Sequence, residues 1–527
     1  MAAQSEQRSQ GEGANSASPP PLRGLSLVLG TVALSLATFM NVLDTSIANV
    51  SLPTIAGDLG VSSNQVTWVI TSFAVANAIS IPLTGWLTTR FGAVRLFIAS
   101  ILLFVLASLL CGFASSIEML ILFRVIQGAV AGPMIPLSQA LLLSSYPSSK
   151  SGTALAMWSI TTLVAPIMGP LLGGYITDNI SWPWIFYINI PVGLMAAWVT
   201  WAIYHKRETP TRKLPVDGVG LGLLVVWVGT LQVALDKGKE LDWFASPLII
   251  GLSVTALIGF VLFLIWELTD EHPVVDLRLF AKRNFTVGVI ALSLGYGVFF
   301  GNVVLLPLWL QQHMGYTATW AGLITAPVGL LAMLLSPVVG KNVNRVDPRL
   351  LATVAFVVFA LVFWMRSHFT TQSDVETLLI PTIIQGIAMA FFFIPLVSLT
   401  LSGLRPDQIP AASGLSNFVR ITAGAFGTSI ATTLWDSRAS MHHAVLIEHI
   451  SPFDANAQSM LDKLQALGLS PQQAAAQINQ VINQQAFMLS ADDIFRASAF
   501  ICLLLVTLVW LAKPAATSTD AAASGAH

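Results

Sequence analysis

The chain has 527 residues, of which 55% are hydrophobic and only 10% are charged. Soluble domains carry roughly 25% charged residues, so this composition predicts a polytopic membrane protein and excludes an ordinary soluble one. The formal net charge of −1 argues against a nucleic-acid partner, and the two cysteines, both inside apolar runs, argue against a disulfide or metal framework.

Fourteen apolar segments are long enough to cross a bilayer, which takes about 20 residues per helix. Each must be helical, because lipid offers the backbone no hydrogen-bond partners, so the predicted fold class is all-α. A polar segment rich in Ser, Gln and Pro precedes them, and we predict a disordered tail there. The segments lie near 25–47, 66–88, 96–114, 118–142, 153–177, 184–204, 217–235, 247–267, 284–309, 319–340, 350–367, 378–402, 410–434 and 494–512.

Positive charges predict the orientation of these spans. With the N-terminus inside, inside segments hold seventeen of the 25 Lys and Arg residues and outside segments hold six. Because cytoplasmic loops carry the excess, both termini are predicted to be cytoplasmic.

The longest loop, 436–493, then lies on the outer side, and within it 470–489 has the apolar spacing of an amphipathic helix. One interpretation is a solvated lid, and the alternative is a docking element for a partner. The loop has no tight metal-ligand spacing, so we predict no metal site at its polar residues His442, His443, Glu448 and His449.

Asp44 closes the first apolar run, in LDTSIANVSLP, where a lipid-facing helix should carry no charge. An ionisable group at that depth is a functional-site hypothesis that needs a partner, and Arg124 in the fourth span is at a compatible depth. Burial disfavours a charged carboxylate and a nearby cation favours it, so a carboxylate between these influences can load and release a proton. We predict that Asp44 and Arg124 form a proton-coupling site; the alternative is a static ion pair that fixes helix register.

Further polar and aromatic residues lie inside spans and are candidates for substrate binding. Pockets for drug-like ligands are mostly apolar and aromatic with a few polar groups, whereas a single such residue more often serves helix packing. Arg420 is the other embedded charge, with a structural role or a cavity-facing role both open. The candidate set is Gln127, Gln139, Asn302, Gln385, Phe391, Phe392, Phe393 and Arg420.

A weak internal repeat predicts two related halves. RVIQGAVAGPMIPLS at 124–138 is similar to TIIQGIAMAFFFIPLVS at 382–398, and the loop GWLTTRFGAVR at 85–95 is similar to GKNVNRVDPR at 340–349. Parallel six-helix repeats place the substrate site near the midplane between the halves. The predicted division is a cytoplasmic tail at 1–23, an N-terminal half at 24–206, two inserted helices at 207–275, a C-terminal half at 276–513 that includes the outer loop, and a tail at 514–527.

Taken in order, these motifs resemble those of the major facilitator superfamily, in its fourteen-span drug–proton antiporter branch. LDTSIANVSLP is similar to the branch's first-span signature, GWLTTRFGAVR to the loop after the second span, and RVIQG with Gly132 to the fourth-span motif. APIMGPLLGG at 165–174 resembles the antiporter motif. Two further stretches resemble sequences of this branch: WPWIFYINIPVG at 182–193 and LDKGKELDWF at 235–244.

The resemblance implies gating roles for two motifs. The loop is expected to act as a hinge, although Thr89 stands where the family usually has Asp, so its contacts are expected to differ. The bend in APIMGPLLGG is expected to seal the cavity against leak, which tight helix packing serves as well. The residues concerned are Gly85, Arg90, Gly92 and Arg95 in the loop, and Gly169, Pro170, Gly173 and Gly174 in the fifth span.

The resemblance also implies a proton-driven multidrug exporter of the bacterial inner membrane, acting with a periplasmic membrane-fusion adaptor and an outer-membrane channel on amphipathic and hydrophobic drugs. No P-loop, nucleophile elbow or HExxH motif is present, so we predict no enzyme and no cofactor beyond protons as coupling ion. The alternatives are a proton-coupled importer of a small solute and a membrane receptor or scaffold that does not transport.

Overall fold

The computed structural model describes residues 20–213, 215–448 and 455–514, and every regular element within these ranges is helical. Fourteen long helices, α1 to α14, occupy the positions of the fourteen predicted spans. In order they are Gly24–Leu59, Trp68–Ser80 with Thr84–Phe91, Ala93–Gly112, Ile117–Ala131 with Met134–Ser145, Ser151–Asn179, Trp184–Tyr187 with Asn189–Tyr204, Gly218–Lys237, Pro247–Thr269, Arg283–His313, Ala318–Thr325 with Pro327–Asn342, Pro348–Arg366, Val375–Leu401, Ile409–Glu448 and Pro471–Val509.

Shorter helices connect them: the α-helical turns Ser63–Val66 and Ala455–Ala466, and the 3-10 turns Ser148–Lys150, Trp243–Ala245, Leu277–Ala281 and Pro406–Gln408. Among the described residues, eleven of the long helices are candidate bilayer spans by length and apolarity. The other three, α5, α13 and α14, lie where the remaining spans were predicted. The chain is therefore a polytopic all-α membrane protein.

Polar N-caps start several of these helices, as the sequence chemistry requires. The side chains of Ser116, Asp217 and Asp374 accept hydrogen bonds from the first turns of α4, α7 and α12. Such caps satisfy backbone donors that have no partner inside the helix. They place the starts of these helices at defined residues on either side of the apolar core.

The same helix pairs recur in both halves of the protein. In the first half α1 packs on α5 and α6, α2 on α4, and α3 on α4 and α6. In the second half α9 packs on α13 and α14, α10 on α12, and α11 on α12 and α14. The inserted helices α7 and α8 pack on each other, and α7 also contacts α2 and α13. The fold is therefore two six-helix bundles with one added helix pair.

The two halves meet at the end that the charge bias predicts to be cytoplasmic. Gly152 of α5 lies so close to Gly340 of α10 that a Cβ placed on Gly340 would come within 2.5 Å of the Gly152 carbonyl oxygen. Close by, the Ser151 hydroxyl donates to the side-chain oxygen of Asn344 at 3.2 Å. Gly85 makes a similar close approach to Ala411 of α13. The ends of the halves that are predicted to be cytoplasmic are thus in contact with each other.

At the opposite end, α13 and α14 extend beyond the predicted spans as a helical hairpin. Asp493 of α14 accepts from Arg438 at 3.2 Å and contacts His442 at 2.8 Å, both on α13. His443 contacts the side-chain oxygen of Asn479 at 2.9 Å. The predicted amphipathic helix 470–489 is confirmed as the first part of α14. His449 lies in 449–454, outside the described residues.

Candidate functional site

Asp44 lies at the centre of a closed polar network inside the N-terminal half. Its carboxylate accepts from the Arg124 guanidinium at 2.5 Å, from the Gln127 amide at 3.1 Å and from the Asn189 amide at 2.9 Å. Asp44 and Arg124 are both 0% exposed. Charge-assisted hydrogen bonds in a low-dielectric interior are stronger than those in water, so the network holds the carboxylate in one position.

Arg124 is held from several sides. Its Nε donates to the carbonyl oxygen of Val69 at 3.0 Å, and its guanidinium lies 4.2 Å from the ring centre of Phe73, both on α2. It also donates to the Gln127 oxygen at 2.7 Å. The cation therefore has partners that do not depend on Asp44, which is the arrangement a carboxylate needs if it is to change its protonation state.

Two members of this network were not among the predicted site residues. Asn189 at the start of the main segment of α6 and Ser108 on α3 bond each other at 3.0 Å, and Ser108 also accepts from Gln127 at 2.8 Å. Both are buried polar residues in apolar helices. Asn189 lies in WPWIFYINIPVG, the stretch that resembles sequences of the fourteen-span branch, and that motif was the signal that could have identified it. Ser108 is an isolated hydroxyl in an apolar helix, which cannot be told apart from an ordinary packing residue.

A second polar cluster joins the two halves. Arg420 of α13 donates to the Asn417 oxygen at 2.6 Å, and the Asn417 amide donates to Gln139 of α4 at 3.2 Å. Three rings surround the Arg420 guanidinium: Tyr296 at 4.8 Å, Phe393 at 5.3 Å and, from the other half, Trp158 at 5.7 Å. Gln139, Trp158, Asn417 and Arg420 all line one small cavity. A cation with aromatic walls at the boundary of the two halves suits an amphipathic ligand.

The predicted substrate set is divided by the structure among three places. Gln139, Phe393 and Arg420 lie in this interface cluster, whereas Gln127 belongs to the Asp44 network. Asn302 and Gln385 lie inside the C-terminal half. Phe392 packs there too, against Phe356 and Phe359, and Phe391 is partly buried on the same helix.

Comparison with known proteins agrees with this architecture. Residues 34–428 match the Major Facilitator Superfamily. The chain is 54% identical to the multidrug export protein EmrB of Escherichia coli strain K12, over 94% of this chain and 97% of that protein. It is 50% identical to the fatty acid resistance protein FarB of Neisseria gonorrhoeae, over 94% and 98%.

The chain belongs to the Major Facilitator Superfamily. A solved structure with a similar fold is the human organic anion transporter MFSD10 (TETRAN), with a TM-score of 0.60 at 12% identity, covering 92% of this chain and 100% of that one. At that identity the likeness concerns the fold alone.

The loop that resembles the superfamily's motif uses a carboxylate from elsewhere in the chain. Gly92, with φ of +90°, separates α2 from α3, and a Cβ there would come within 2.4 Å of the Glu208 side chain. Glu208 accepts from the backbone N–H groups of Val94 and Arg95 at 3.0 and 2.8 Å, so it caps α3. The Thr89 hydroxyl donates within its own helix, to the Gly85 carbonyl oxygen at 3.0 Å, and the Thr89 carbonyl oxygen accepts from the backbone N–H of Arg212 at 2.8 Å. In this loop the acidic contact is therefore made by Glu208, which follows α6, and not by residue 89. The sequence did not identify Glu208 as part of the loop's contacts.

The basic residues of this superfamily loop lie on the surface around that cap. Arg95 lies 4.0 Å from Glu208 and is largely exposed. The Arg90 guanidinium lies 5.3 Å from the ring centre of Trp86. Arg90 is half-buried, whereas Arg95 makes an exposed contact of a kind that contributes little free energy. The close approaches at Gly85 and Gly92 therefore fix the loop's position more than the charge of Arg95 does.

The glycines of the fifth-span motif bring α5 against α1 beside Asp44. A Cβ on Gly169 would come within 2.3 Å of the Ser46 hydroxyl, and one on Gly173 within 2.8 Å of Ile47. A Cβ on Gly174, by contrast, would meet nothing within 4 Å. The side chain of Pro170 lies outside the described residues. Gly169 and Gly173 thus seal the α1–α5 contact next to the Asp44 network.

Proposed function

We propose that this protein is a proton-driven multidrug exporter, a drug/H⁺ antiporter of the bacterial inner membrane that works by alternating access. The observation that carries the proposal is the enclosed Asp44 carboxylate, held by Arg124, Gln127 and Asn189 in a chain that is 54% identical to a multidrug export protein. An acid with no route to water in one conformation can exchange its proton only when the halves move.

In this mechanism Asp44 and Arg124 are the coupling pair. Protonation of Asp44 removes its attraction to Arg124, and the guanidinium retains its bonds to the Val69 carbonyl and to Gln127. The neutral carboxyl binds the other members of the network more weakly than the carboxylate does, and this favours movement of α1 against α4. Because α1 also packs on α5 at Gly169, movement of α1 reaches the helix that forms the closed cytoplasmic contact.

The drug is proposed to bind at the interface cluster around Arg420. Its aromatic walls come from both halves, so closing and opening the halves assembles and separates the site. An acidic or polar drug would meet the guanidinium and a hydrophobic one the rings, which is the combination that a broad substrate range requires.

The proposed function predicts drug accumulation that depends on a proton gradient. Everted membrane vesicles that contain the protein, supplied with a fluorescent amphipathic drug, should accumulate it when an acidic-inside gradient is imposed. They should release it when a protonophore collapses the gradient. Vesicles without the protein are the control, and accumulation that is equal with and without the protein would contradict the exporter assignment.

We further propose that the α13–α14 hairpin is the docking element for a periplasmic membrane-fusion adaptor, through which an outer-membrane channel is reached in a tripartite pump. The hairpin exposes apolar side chains, with Leu467 at its turn 80% exposed and Val481 on α14 36% exposed. Asp493 links the two helices of the hairpin through its ion pair with Arg438 and its hydrogen bond with His442. Exposed apolar residues on a structured extension are typical of an interaction surface.

Replacing Leu467 and Val481 together with glutamate is expected to abolish co-purification of the adaptor, because two charges would have to be desolvated in the contact. Gln477→Glu, an equally exposed position on α14, adds one charge and should retain the adaptor. Vesicle transport of the double variant should remain normal, since these residues lie away from both internal clusters. Adaptor recovery at the level of the unmodified chain would show that docking occurs elsewhere.

A further inference from the structure

A third buried polar cluster lies in the C-terminal half and takes no part in the coupling or substrate sites. Arg366, at the end of α11, is 2% exposed. Its guanidinium donates to Gln385 at 2.6 Å and to Thr382 at 3.3 Å, both on α12. Among the described residues, no acidic side chain forms an ion pair with it. A buried cation without a counter-charge is strongly unfavourable, so its charge requires compensation.

The internal repeat relates this cluster to the Asp44 network. Four residues of the Asp44 network each have a counterpart 258 positions later in the chain, and all four counterparts belong to the second cluster. The two sets are Asp44, Ser108, Arg124 and Gln127 in the first half, and Asn302, Arg366, Thr382 and Gln385 in the second. The helix pairs around them also correspond, since α9, α11, α12 and α14 pack on one another as α1, α3, α4 and α6 do.

The two clusters lie in equivalent places but differ in charge. The second keeps a guanidinium, moved from α4 in the first half to α11 in the second, and has an amide, Asn302, where the first has its carboxylate. The Asn302 amide donates to the Ser498 hydroxyl of α14 at 2.9 Å. This bond joins the helix pair that corresponds to α1 and α6, which the Asn189 amide joins in the first half by donating to Asp44 at 2.9 Å. The C-terminal half therefore keeps a buried guanidinium but has no carboxylate at the position that corresponds to Asp44.

One hydrogen bond that the carboxylate accepts in the first half has no counterpart in the second. Gln127 Nε2 donates to Asp44, whereas the corresponding Gln385 Nε2 is buried with no partner among the described residues. The buried Nε of Arg366 has none either, and the buried Oδ1 of Asn302 is an acceptor without a partner there. Two unsatisfied donors on one hydrogen-bonded pair of side chains, beside a buried positive charge, are the donor set of an anion site.

Contacts of the last helix put Asn302 near the level of this donor pair. Ser498, its partner, is two residues or about 3 Å of helix rise from Arg496. The Arg496 guanidinium reaches the carbonyl oxygen of Ser367, the residue after Arg366, at 3.4 Å. Asn302 of α9 therefore lies at a depth in this half similar to that of Arg366.

We propose that this cluster binds one small inorganic anion, with chloride as the available ion, beside Asn302, where the Nε of Arg366 and the Nε2 of Gln385 have no partner among the described residues. The anion accepts from Arg366 and Gln385 and neutralises the buried guanidinium. Each of the two repeat-related clusters then pairs its buried cation with one anion, which is covalently attached in the first half and exchangeable in the second. The bound anion stabilises the contact of α11 with α12.

Thermal unfolding of the full chain in detergent tests this directly. Sodium chloride is expected to raise the melting temperature above that in sodium gluconate at equal ionic strength, because an ion that binds only the folded state stabilises it in proportion to its occupancy. Radiolabelled chloride should bind the purified protein at a single saturable site. Equal melting temperatures in the two salts, with no saturable binding, would overturn the proposal.

Two variants tie the effect to this cluster. Arg366→Gln removes the charge and should abolish chloride binding and the melting shift. Asn302→Asp supplies a covalent carboxylate as in the first half, so it should also abolish both while keeping the protein folded. Thr200→Val, which deletes an unpartnered buried hydroxyl on α6, should retain both and controls for general loss of stability. Unchanged chloride binding in Asn302→Asp would place the ion elsewhere and refute the assignment.

Discussion

Replacing Asp44 with asparagine is expected to abolish drug accumulation against a gradient while leaving downhill drug exchange in place. The amide keeps the size and part of the hydrogen bonding of the carboxylate but cannot load or release a proton. The drug ratio across energised vesicles should therefore fall from its normal value to about one, and proton release on drug addition should disappear. Both are measurable in vesicles with a fluorescent drug and a pH-sensitive dye.

Loss of folding is the competing explanation, because Asp44→Asn leaves a buried guanidinium unneutralised, at a cost of about 3–5 kcal/mol. The double variant Asp44→Asn with Arg124→Gln removes both charges and should regain stability without regaining uphill export. Asp58→Asn, the same change at an exposed position on α1, is the matched control and should transport normally. Normal uphill export by Asp44→Asn would remove Asp44 from the coupling mechanism.

Adding one methyl group at Gly340 is expected to reduce export about tenfold or more, an effect of roughly 1.4 kcal/mol on the rate-limiting step. The new Cβ would come within 2.5 Å of the Gly152 carbonyl oxygen and 2.8 Å of the Ala156 side chain. Backbone cannot move aside as a flexible side chain can, so α5 and α10 must separate and the closed cytoplasmic contact is lost.

Gly322→Ala is a control on the same helix, since its Cβ meets nothing within 4 Å. Both changes raise helix propensity by a similar amount, so only the clash distinguishes them. Paired spin labels at Ser151 and Asn344, which are in hydrogen-bond contact, should report a longer distance in Gly340→Ala alone. The two native cysteines are buried and will not compete for the label. An unchanged label distance together with normal export would rule out this contact as a gate.

The embedded charges carried most of the predictive information about the site. Asp44 and Arg124 were paired in advance because a bilayer makes each costly alone, which leaves few arrangements open. The sequence did not single out Glu208, because a glutamate in a basic loop is expected to be solvated. Arg366 ends an apolar run, where a long side chain usually extends to the interface, so the sequence gives no sign that it is buried. Its burial depends on α12, which hydropathy does not reveal.

Helix number and order followed from apolar length alone, but the orientation of each helix did not. Gln127 and Gln139 lie on one span, twelve residues apart, yet they belong to separate clusters because α4 breaks at Gly132 and Pro133. A helix that is apolar all round has no polar face, so its sequence does not show which neighbouring helix a given residue will face. The polar candidates were therefore predicted as one set, and packing distributes them among three places.

Helix α13 is continuous over 40 residues, a length of about 60 Å. It begins at the cytoplasmic contact with Gly85, carries Arg420 at the interface, and ends in the outer hairpin beside α14. A rod of that length tilting by about 10° at one end moves the other by roughly 10 Å. In the proposed mechanism, a tilt of α13 at its Gly85 end reaches the outer hairpin, so each transport cycle displaces the surface where the adaptor is proposed to bind.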